Sequence, residues 1–118
     1  MNLWYSTPMQ IKETHLLHIV LISFLPTASQ EIRDEISDRY SMLGEEAGGQ
    51  DAGILFWSTK PNMDLRKNIH LIEVAIFKDK ESYENFKNHP KHKQVVELLK
   101  TSADWSVGDT IESFPMFG

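Results

Sequence analysis

A segment that is apolar on both of its faces is the feature that most restricts how this chain folds. Residues 16–24 read LLHIVLISF, and apolar side chains occupy both the odd and the even positions. Because successive side chains of a strand point to opposite faces, a strand of this kind must be covered on both sides. We therefore predict a buried strand here, with other parts of the protein packed against each of its faces.

The same run has an alternative interpretation as the hydrophobic region of a secretory signal peptide. It is too short to span a bilayer, but its length and the PTA that follows it at 26–28 suit a cleavable signal. Lys12 and Glu13 in front of the run, and His18 within it, argue against a signal peptide. The buried strand is the favoured interpretation.

The composition is that of one ordinary globular domain. Of its 118 residues, 41% are hydrophobic and 25% are charged, which is typical of a folded chain. A net charge of −5 argues against a nucleic-acid-binding groove, which requires a basic face. A sequence without cysteine has no disulfide, thiolate metal site or cysteine nucleophile, and fits a reducing compartment. We expect a cytoplasmic protein that binds neither nucleic acid nor a membrane.

The first strand is followed by a predicted helix. Pro26 ends the strand, and residues 27–30 have the form of a capping box, in which a hydroxyl is answered three residues later by a glutamine. Apolar residues then recur at helical spacing, at Ile32, Ile36, Tyr40 and Leu43.

The rest of the chain completes the order β-α-β-β-α-β, which is the ferredoxin-like α+β fold. Strands are predicted at 54–59, 69–77 and 104–111, and the second helical part is divided into runs at 79–88 and 90–100. The domain then covers residues 15–112, with 1–14 as an N-terminal extension and 113–118 as a C-terminal tail.

The helices of this fold cover only one face of the four-stranded antiparallel sheet. The first and third strands are apolar on both faces, so the second face would form a large exposed apolar patch. The simplest cover is the same face of another copy. We therefore predict a homodimer that forms through the helix-free face of the sheet.

The stretch KNHPKHKQV, residues 87–95, holds two histidines on either side of a proline. Proline favours the first turn of a helix and biases the preceding residue away from helical geometry, so Asn88 or His89 is expected to cap a helix that starts here. His92 lies within that helix, and the residues three, four and seven positions after it are apolar. The ring of His92 is therefore predicted to face the core.

Three roles of His92 are open. A metal site is disfavoured, because Pro90 interrupts the helix between the two rings and no adjacent acidic residue completes a ligand set. A core histidine bonded to a backbone carbonyl is the plainest alternative. An acid–base or ligand-binding role is the third, since burial in a pocket tunes the pKa of imidazole.

Several other side chains have both a structural and a functional interpretation. Trp57 and Trp105 are core or interface aromatics, or they stack on a ligand. Tyr40 is a core tyrosine or a pocket hydroxyl, His18 is a satisfied strand histidine or a pocket residue, and His15 is expected to be exposed. The sequence contains no phosphate-binding glycine loop and no Ser–His–Asp order.

The sequence resembles the stress-responsive A/B barrel (Dabb) family over residues 15–112. The resemblance rests on HIVLISF at 18–24, a third strand that ends at Phe77, ESYENFKNHPKH at 81–92 and DWSVGD at 104–109. The third of these is similar to an aromatic–x–x–His–Pro–x–His signature of the family. The resemblance implies a dimeric α+β barrel, without established activity in most members. We expect neither a cofactor nor a metal.

One plant member of the family is a cyclase that closes a polyketide thioester without a cofactor. By position, the resemblance implies His92 as the catalytic base, Tyr40 as a pocket hydroxyl and His18 as a pocket histidine. The family's pocket tyrosine six residues before the catalytic histidine corresponds to Phe86, which lacks the hydroxyl.

The third strand can be aligned with the family in two ways that differ by one residue. A slip of one residue moves every side chain to the other face. Glu73 lies in a cavity in one alignment and on the other face of the sheet in the second, and His70 is left unassigned. His18, Phe86 and Glu73 are the candidate substrate-binding residues.

Three functions are compatible with these observations. The first is a homodimer that binds a small apolar or aromatic molecule between helices and sheet near His92, without established catalysis. The second is a cofactor-independent cyclase or lyase on a polyketide-like or carbonyl substrate, with His92 as general base and Tyr40 as hydrogen-bond donor. The third is a cofactor-free monooxygenase, which is favoured only by shared architecture.

Overall fold

The computed structural model describes residues 10–117, with side chains from 13 to 114. Residues 1–9 of the predicted N-terminal extension, and Gly118, lie outside the described residues. The described part has the order β1 (Gln10–Phe24), α1 (Gln30–Glu46), β2 (Ile54–Pro61), β3 (Leu71–Phe77), α2 (Lys80–Lys87), α3 (Pro90–Lys100) and β4 (Ala103–Phe117), with a 3₁₀ turn at Gly49–Ala52. None of the helices found here has both the length and the apolar character that a membrane span requires.

The four strands form one antiparallel sheet in the order β2-β3-β1-β4. This is the ferredoxin-like α+β arrangement, so the predicted fold class is confirmed. Alternate side chains of the central strands β1 and β3 are buried, as the period of two requires. Those buried side chains share a core with Ile36 of α1, Phe86 of α2 and Val95 of α3, so all three helices pack on one face.

The strands β1 and β4 are longer than the sequence predicts. β1 begins at Gln10 and not at residue 16, and β4 continues to Phe117 and not to 111. The two added segments pair with each other, with Gln10 opposite Phe117. The backbone N–H and C=O groups of each segment are hydrogen-bonded to those of the other. The hydrophobic pattern of neither segment indicates this pairing. Residues 113–117 therefore continue a strand where the sequence predicts a tail.

The helix α1 starts later than its predicted cap. Its N-cap is Ser29, whose Oγ accepts a hydrogen bond from the Ile32 N–H at 3.2 Å. The Ala28 N–H is bonded to the Leu25 carbonyl, so the chain completes a turn after Pro26 before the helix can begin. The predicted capping box at Thr27 is wrong for this reason.

The start of α3 lies where the proline predicts it. His89 is the N-cap, and its Nδ1 accepts a hydrogen bond from the Lys91 N–H at 3.1 Å. Pro90 occupies the first helical position, where no backbone donor is needed. His89 is thus a structural cap, and its ring is engaged at the helix end.

A glycine allows β2 to approach α1 closely. A Cβ atom at Gly44 would lie 2.5 Å from Cγ of Trp57, nearer than non-bonded carbon atoms pack. The Trp57 Nε1–H donates a hydrogen bond of 2.7 Å to the carbonyl oxygen of Tyr40, one turn earlier in α1. The indole packs against the core, so Trp57 is a core aromatic, which is the structural one of its two interpretations.

The face of the sheet opposite the helices is apolar, and we call it the open face. On β1 and β3 the residues of this face pair directly across the strands, as Ile19 does with Val74. They are half-buried, while Phe56 on the neighbouring strand β2 is exposed. The open face is formed on these two strands by Leu17, Ile19, Leu21, Ile72, Val74 and Ile76.

Candidate ligand-binding site

A pocket of about 220 Å³, which we call the inner pocket, lies between the helices and the β1–β4 side of the sheet. Three candidates from three different elements, His92, Tyr40 and His18, meet in its wall. Apolar side chains form the rest of that wall around a few polar tips, which is the usual composition of a small-molecule site. Its lining is His18, Val20, Tyr40, Tyr83, Lys87, His92, Val96, Trp105 and Val107.

The imidazole of His92 is fixed in orientation and in protonation state. Its Nδ1 lies 3.1 Å from the carbonyl oxygen of Lys87. A carbonyl can only accept, so Nδ1 carries the proton and Nε2 keeps its lone pair. Burial lowers the pKa of His92, so the ring is neutral at pH 7. His92 therefore presents a basic nitrogen and is held by the backbone at the other.

His18 connects two carboxyl groups across the sheet. Its Nδ1 lies 2.5 Å from Oδ1 of Asp109, and its Nε2 lies 3.7 Å from Oε1 of Glu73. Asp109 is directly opposite His18 in the β1–β4 register, so the sheet itself positions this pair. The Asp109 side chain is 34% exposed, whereas the side chain of Glu73 is 1% exposed. His18 thus stands between a partly hydrated acid and a buried one.

Glu73 lies on the helix side of β3 and is buried. The sequence left two alignments of this strand open, and the structure has the one in which Glu73 faces the interior. Its Oε2 has no hydrogen-bond partner among the residues described. Burial, and after it the charge of Asp109, raises the pKa of Glu73 to about 9. The carboxyl group is therefore protonated at pH 7, and it is a potential donor beside His18.

Tyr83 supplies a hydroxyl that the sequence interpretation did not assign. Its hydroxyl donates a hydrogen bond of 3.1 Å to Oδ2 of Asp109, and its ring centroid lies 5.0 Å from that of His18. Burial raises the pKa of Tyr83 and the neighbouring Asp109 raises it further, so the phenol stays protonated. Tyr83 lies one helical turn before Phe86, so α2 brings a phenol to the pocket wall from an earlier position.

Asp109 is the other candidate residue that the sequence interpretation missed. It occupies an inward position of β4, in an alternation whose other members are Trp105, Val107 and Ile111. A carboxylate at an apolar position of a strand is the signal that could have indicated it. Its partner His18 is 91 residues away in sequence, so only the register brings the two together.

Tyr40 is buried at the pocket wall on α1. Its carbonyl oxygen accepts hydrogen bonds from Trp57 Nε1 at 2.7 Å and from Thr59 Oγ1 at 3.3 Å, which ties this turn of the helix to β2. Burial, with a smaller contribution from Glu73, raises the pKa of the phenol. Tyr40 therefore remains a hydroxyl donor at any physiological pH.

The structure does not bring every candidate to the pocket wall. Phe86 is buried behind His92, with ring centroids 4.6 Å apart, and it also packs on Trp57 and Phe77. It supports the imidazole and does not line the inner pocket. Trp105 does line it, on β4.

Two further histidines have structural environments. His15 was expected to be exposed, and this is wrong: it is buried, with Nδ1 2.9 Å from the carbonyl oxygen of Lys78 and Nε2 2.9 Å from Glu13. The long β1–β4 ribbon explains the burial, since the ring of Phe114 packs 5.7 Å from that of His15. His70 accepts a hydrogen bond from the Phe24 N–H at 2.9 Å, outside the inner pocket.

Metal-binding geometry is not found in the part of the chain that the structure describes, where no three His, Asp or Glu side chains cluster as ligands. The two histidines around Pro90 have separate partners. His89 accepts from the Lys91 N–H, and His92 donates to the Lys87 carbonyl.

The fold and the pocket define a ferredoxin-like α+β domain with a cavity between its helices and its sheet. The sequence profile of the stress responsive A/B barrel domain, Dabb, matches residues 16–111, and the chain belongs to this family. The resemblance drawn from its motifs is thereby confirmed. A search of curated proteins finds no match.

Solved structures share this fold at low sequence identity. A dimeric ferredoxin-like protein of unknown function from Thermobifida fusca YX is 15% identical, with a TM-score of 0.73 over 85% of this chain and 92% of that one. A second such protein, from Jannaschia sp. CCS1, is 20% identical, with a TM-score of 0.68 over 81% and 97%. The hydroxynitrile lyase of Passiflora edulis is 16% identical, with a TM-score of 0.64 over 88% and 94%.

Proposed function

We propose that this chain is a homodimer that binds a small, largely apolar or aromatic molecule in the inner pocket beside His92. The observation that carries the proposal is the convergence of His92, His18 and Tyr40 on one cavity with otherwise mainly apolar walls. The cysteine-free composition favours the cytoplasm as its setting.

The homodimer is supported by the open face. Its apolar side chains lie on the side of the sheet away from the helices, and an uncovered patch of this kind marks an interaction site. The same face of a second copy is complementary to it by symmetry. The solved relatives from Thermobifida fusca and Jannaschia are described as dimeric.

Ligand binding is tested by filling the inner pocket. Val107 lies at its wall and is 50% exposed, so Val107→Trp occludes the cavity without disturbing the core. In a thermal-shift screen of aromatic and β-keto compounds, a ligand at about a hundred times its Kd stabilises the wild type by about 2.7 kcal/mol. We expect Val107→Trp to abolish this shift.

The matched control is Ile111→Trp, on the same strand and the same face but outside the inner pocket. This variant is expected to keep the shift. A ligand that stabilises Val107→Trp as much as the wild type binds elsewhere and would refute the assignment.

A second candidate function is cofactor-independent lyase or cyclase chemistry with His92 as general base. The observation that favours it is the state of His92, which is neutral and directs its proton-bearing Nδ1 to the Lys87 carbonyl. Tyr40 offers a hydroxyl donor for an oxyanion in the same pocket. The hydroxynitrile lyase with this fold shows a chemistry that such a site suits.

For an aromatic cyanohydrin, the base would take the hydroxyl proton at Nε2 as the bond between the carbinol carbon and the nitrile breaks. The products are an aldehyde and cyanide, and cyanide takes the proton back from the imidazolium and leaves as HCN. We expect His92→Ala to lower kcat/KM by about a hundredfold or more, the usual contribution of a positioned base. Aldehyde absorbance measures the turnover.

His89→Asn is the matched control, because it replaces the neighbouring histidine with a side chain that still caps α3. It should retain activity. Turnover that survives in His92→Ala would exclude His92 as the base, and a wild type inactive on both cyanohydrins and aldol substrates would exclude this second function.

A further inference from the structure

A second, shallower cavity of about 240 Å³ adjoins the inner pocket, and we call it the lysine groove. His92, Lys87 and Val96 line both cavities, so they form the boundary between them. Each cavity alone is smaller than an ordinary ligand site, whereas the two together fall within the range of roughly 300–1,000 Å³. The groove is lined by Lys87, His92, Lys93, Val96, Glu97 and Lys100.

The lysine groove is cationic, although the whole chain has a net charge of −5. Its one acidic residue, Glu97, is paired with Lys100 at 2.8 Å. Lys87 pairs with Glu84 at 2.8 Å and also lies 4.7 Å from the centre of the Tyr83 ring. Lys93 has no carboxylate within 4.0 Å among the described side chains. Its charge is therefore available to a ligand.

The end of the inner pocket formed by His18 and Tyr83, which the lysine groove does not share, is acidic. Asp109 contacts both His18 and Tyr83 there. An anionic group is repelled from a carboxylate at this end and attracted at the lysine end. The apolar side chains of Val20, Trp105 and Val107 line the inner pocket beside the polar groups. The charge distribution thus gives a bound molecule a preferred direction.

We propose that the ligand is an amphipathic organic anion, whose carboxylate or phosphate lies on Lys93 while its apolar body fills the inner pocket. This inference rests on the proposed function and adds a substrate class to it. His92 belongs to both cavities, so the atoms that join the anionic group to the apolar body pass its imidazole. The reacting or recognised bond is therefore adjacent to the acid group.

Three probes that share one apolar body separate the contribution of the anionic group to binding from that of the apolar body. They are phenylbutanol, phenylbutanoate and phenylbutyl phosphate. Calorimetric titration of the full chain at an ionic strength of about 0.01 M keeps the screening length long. We expect the two anions to bind about tenfold more tightly than the alcohol, which corresponds to about 1.4 kcal/mol. The preference should shrink at about 0.15 M.

The variant Lys93→Gln is expected to remove the preference for the anions and to leave the affinity for phenylbutanol unchanged. Lys91→Gln is the control, since Lys91 is on α3 but lines neither cavity. A loss of preference that is equal in the control would indicate net charge alone and overturn the inference. Equal affinity of the wild type for the alcohol and the anions would also overturn this inference, but the proposed binding of a ligand in the inner pocket would still hold. Failure of all three probes to bind would overturn both proposals.

Discussion

Replacing Glu73 with glutamine is expected to stabilise the protein increasingly as the pH rises from 6 to 8. Glutamine keeps the shape of the side chain and a hydrogen-bond donor, but it cannot ionise. We expect the difference in the free energy of unfolding between Glu73→Gln and the wild type to grow by about 3 kcal/mol over these two pH units. In the wild type, stability should fall across the same interval.

The direction follows from the pKa of Glu73 in the two states. The carboxyl has a pKa of about 4.3 in an unfolded chain, and burial raises it to about 9 in the folded protein. Between these values the folded state holds a proton that the unfolded state has released. The stabilisation is therefore complete below the unfolded pKa and is lost as the pH rises through the folded pKa, by about 1.4 kcal/mol per pH unit.

Urea unfolding at pH 6, 7 and 8, at one fixed protein concentration, measures this difference. Glu97→Gln serves as the control, because Glu97 is exposed and its ion pair with Lys100 lies at the surface. Its unfolding free energy should follow that of the wild type at all three pH values. Parallel curves for Glu73→Gln and the wild type would mean that Glu73 is already ionised in the folded state at pH 6.

The sequence predicts the fold well because the relevant signals are local. The two-faced apolar strand, the proline at the start of α3 and the helical spacing of Ile36, Tyr40 and Leu43 each depend on neighbouring residues alone. The errors of the prediction lie where the structure depends on contacts between segments that are distant in the sequence. The extension of β1 to Gln10 exists because residues 112–117 pair with it, and the burial of His15 depends on that pairing.

The candidate site divides in the same way. The core-facing orientation of His92 follows from the period of its own helix, and the structure agrees. The group formed by His18, Asp109, Glu73 and Tyr83 depends instead on the register of three strands and on the position of α2 over them. A shift of one residue would have turned Glu73 to the open face. The sequence alone therefore left its orientation undecided.

Replacing Ile19 with aspartate is expected to dissociate the proposed homodimer. Ile19 lies on the central strand β1 and pairs with Val74 of β3 on the open face. In a dimer formed by two open faces, the new carboxylate would be buried in an apolar layer without a partner, and symmetry would place it there twice. We expect the Kd of the dimer to rise more than a thousandfold, by about 4 kcal/mol.

The isolated chain should tolerate this change, because Ile19 is only half-buried when the open face is uncovered. Light scattering at micromolar concentration then gives a mass near 13.6 kDa for Ile19→Asp and twice that value for the wild type, while circular dichroism remains that of a folded chain.

Ile111→Asp introduces the same charge on the helix side of β4, where the side chain is 50% exposed, and this variant should stay dimeric. Comparison of the two variants distinguishes the effect of a charge on the open face from the effect of a charge elsewhere on the sheet. An Ile19→Asp protein that keeps the dimeric mass would place the interface on another surface. If the wild type has the mass of one chain, the proposed homodimer does not form and the open face is not covered by a second copy. Dissociation of Ile19→Asp alone would identify the open face as the surface that joins the two copies.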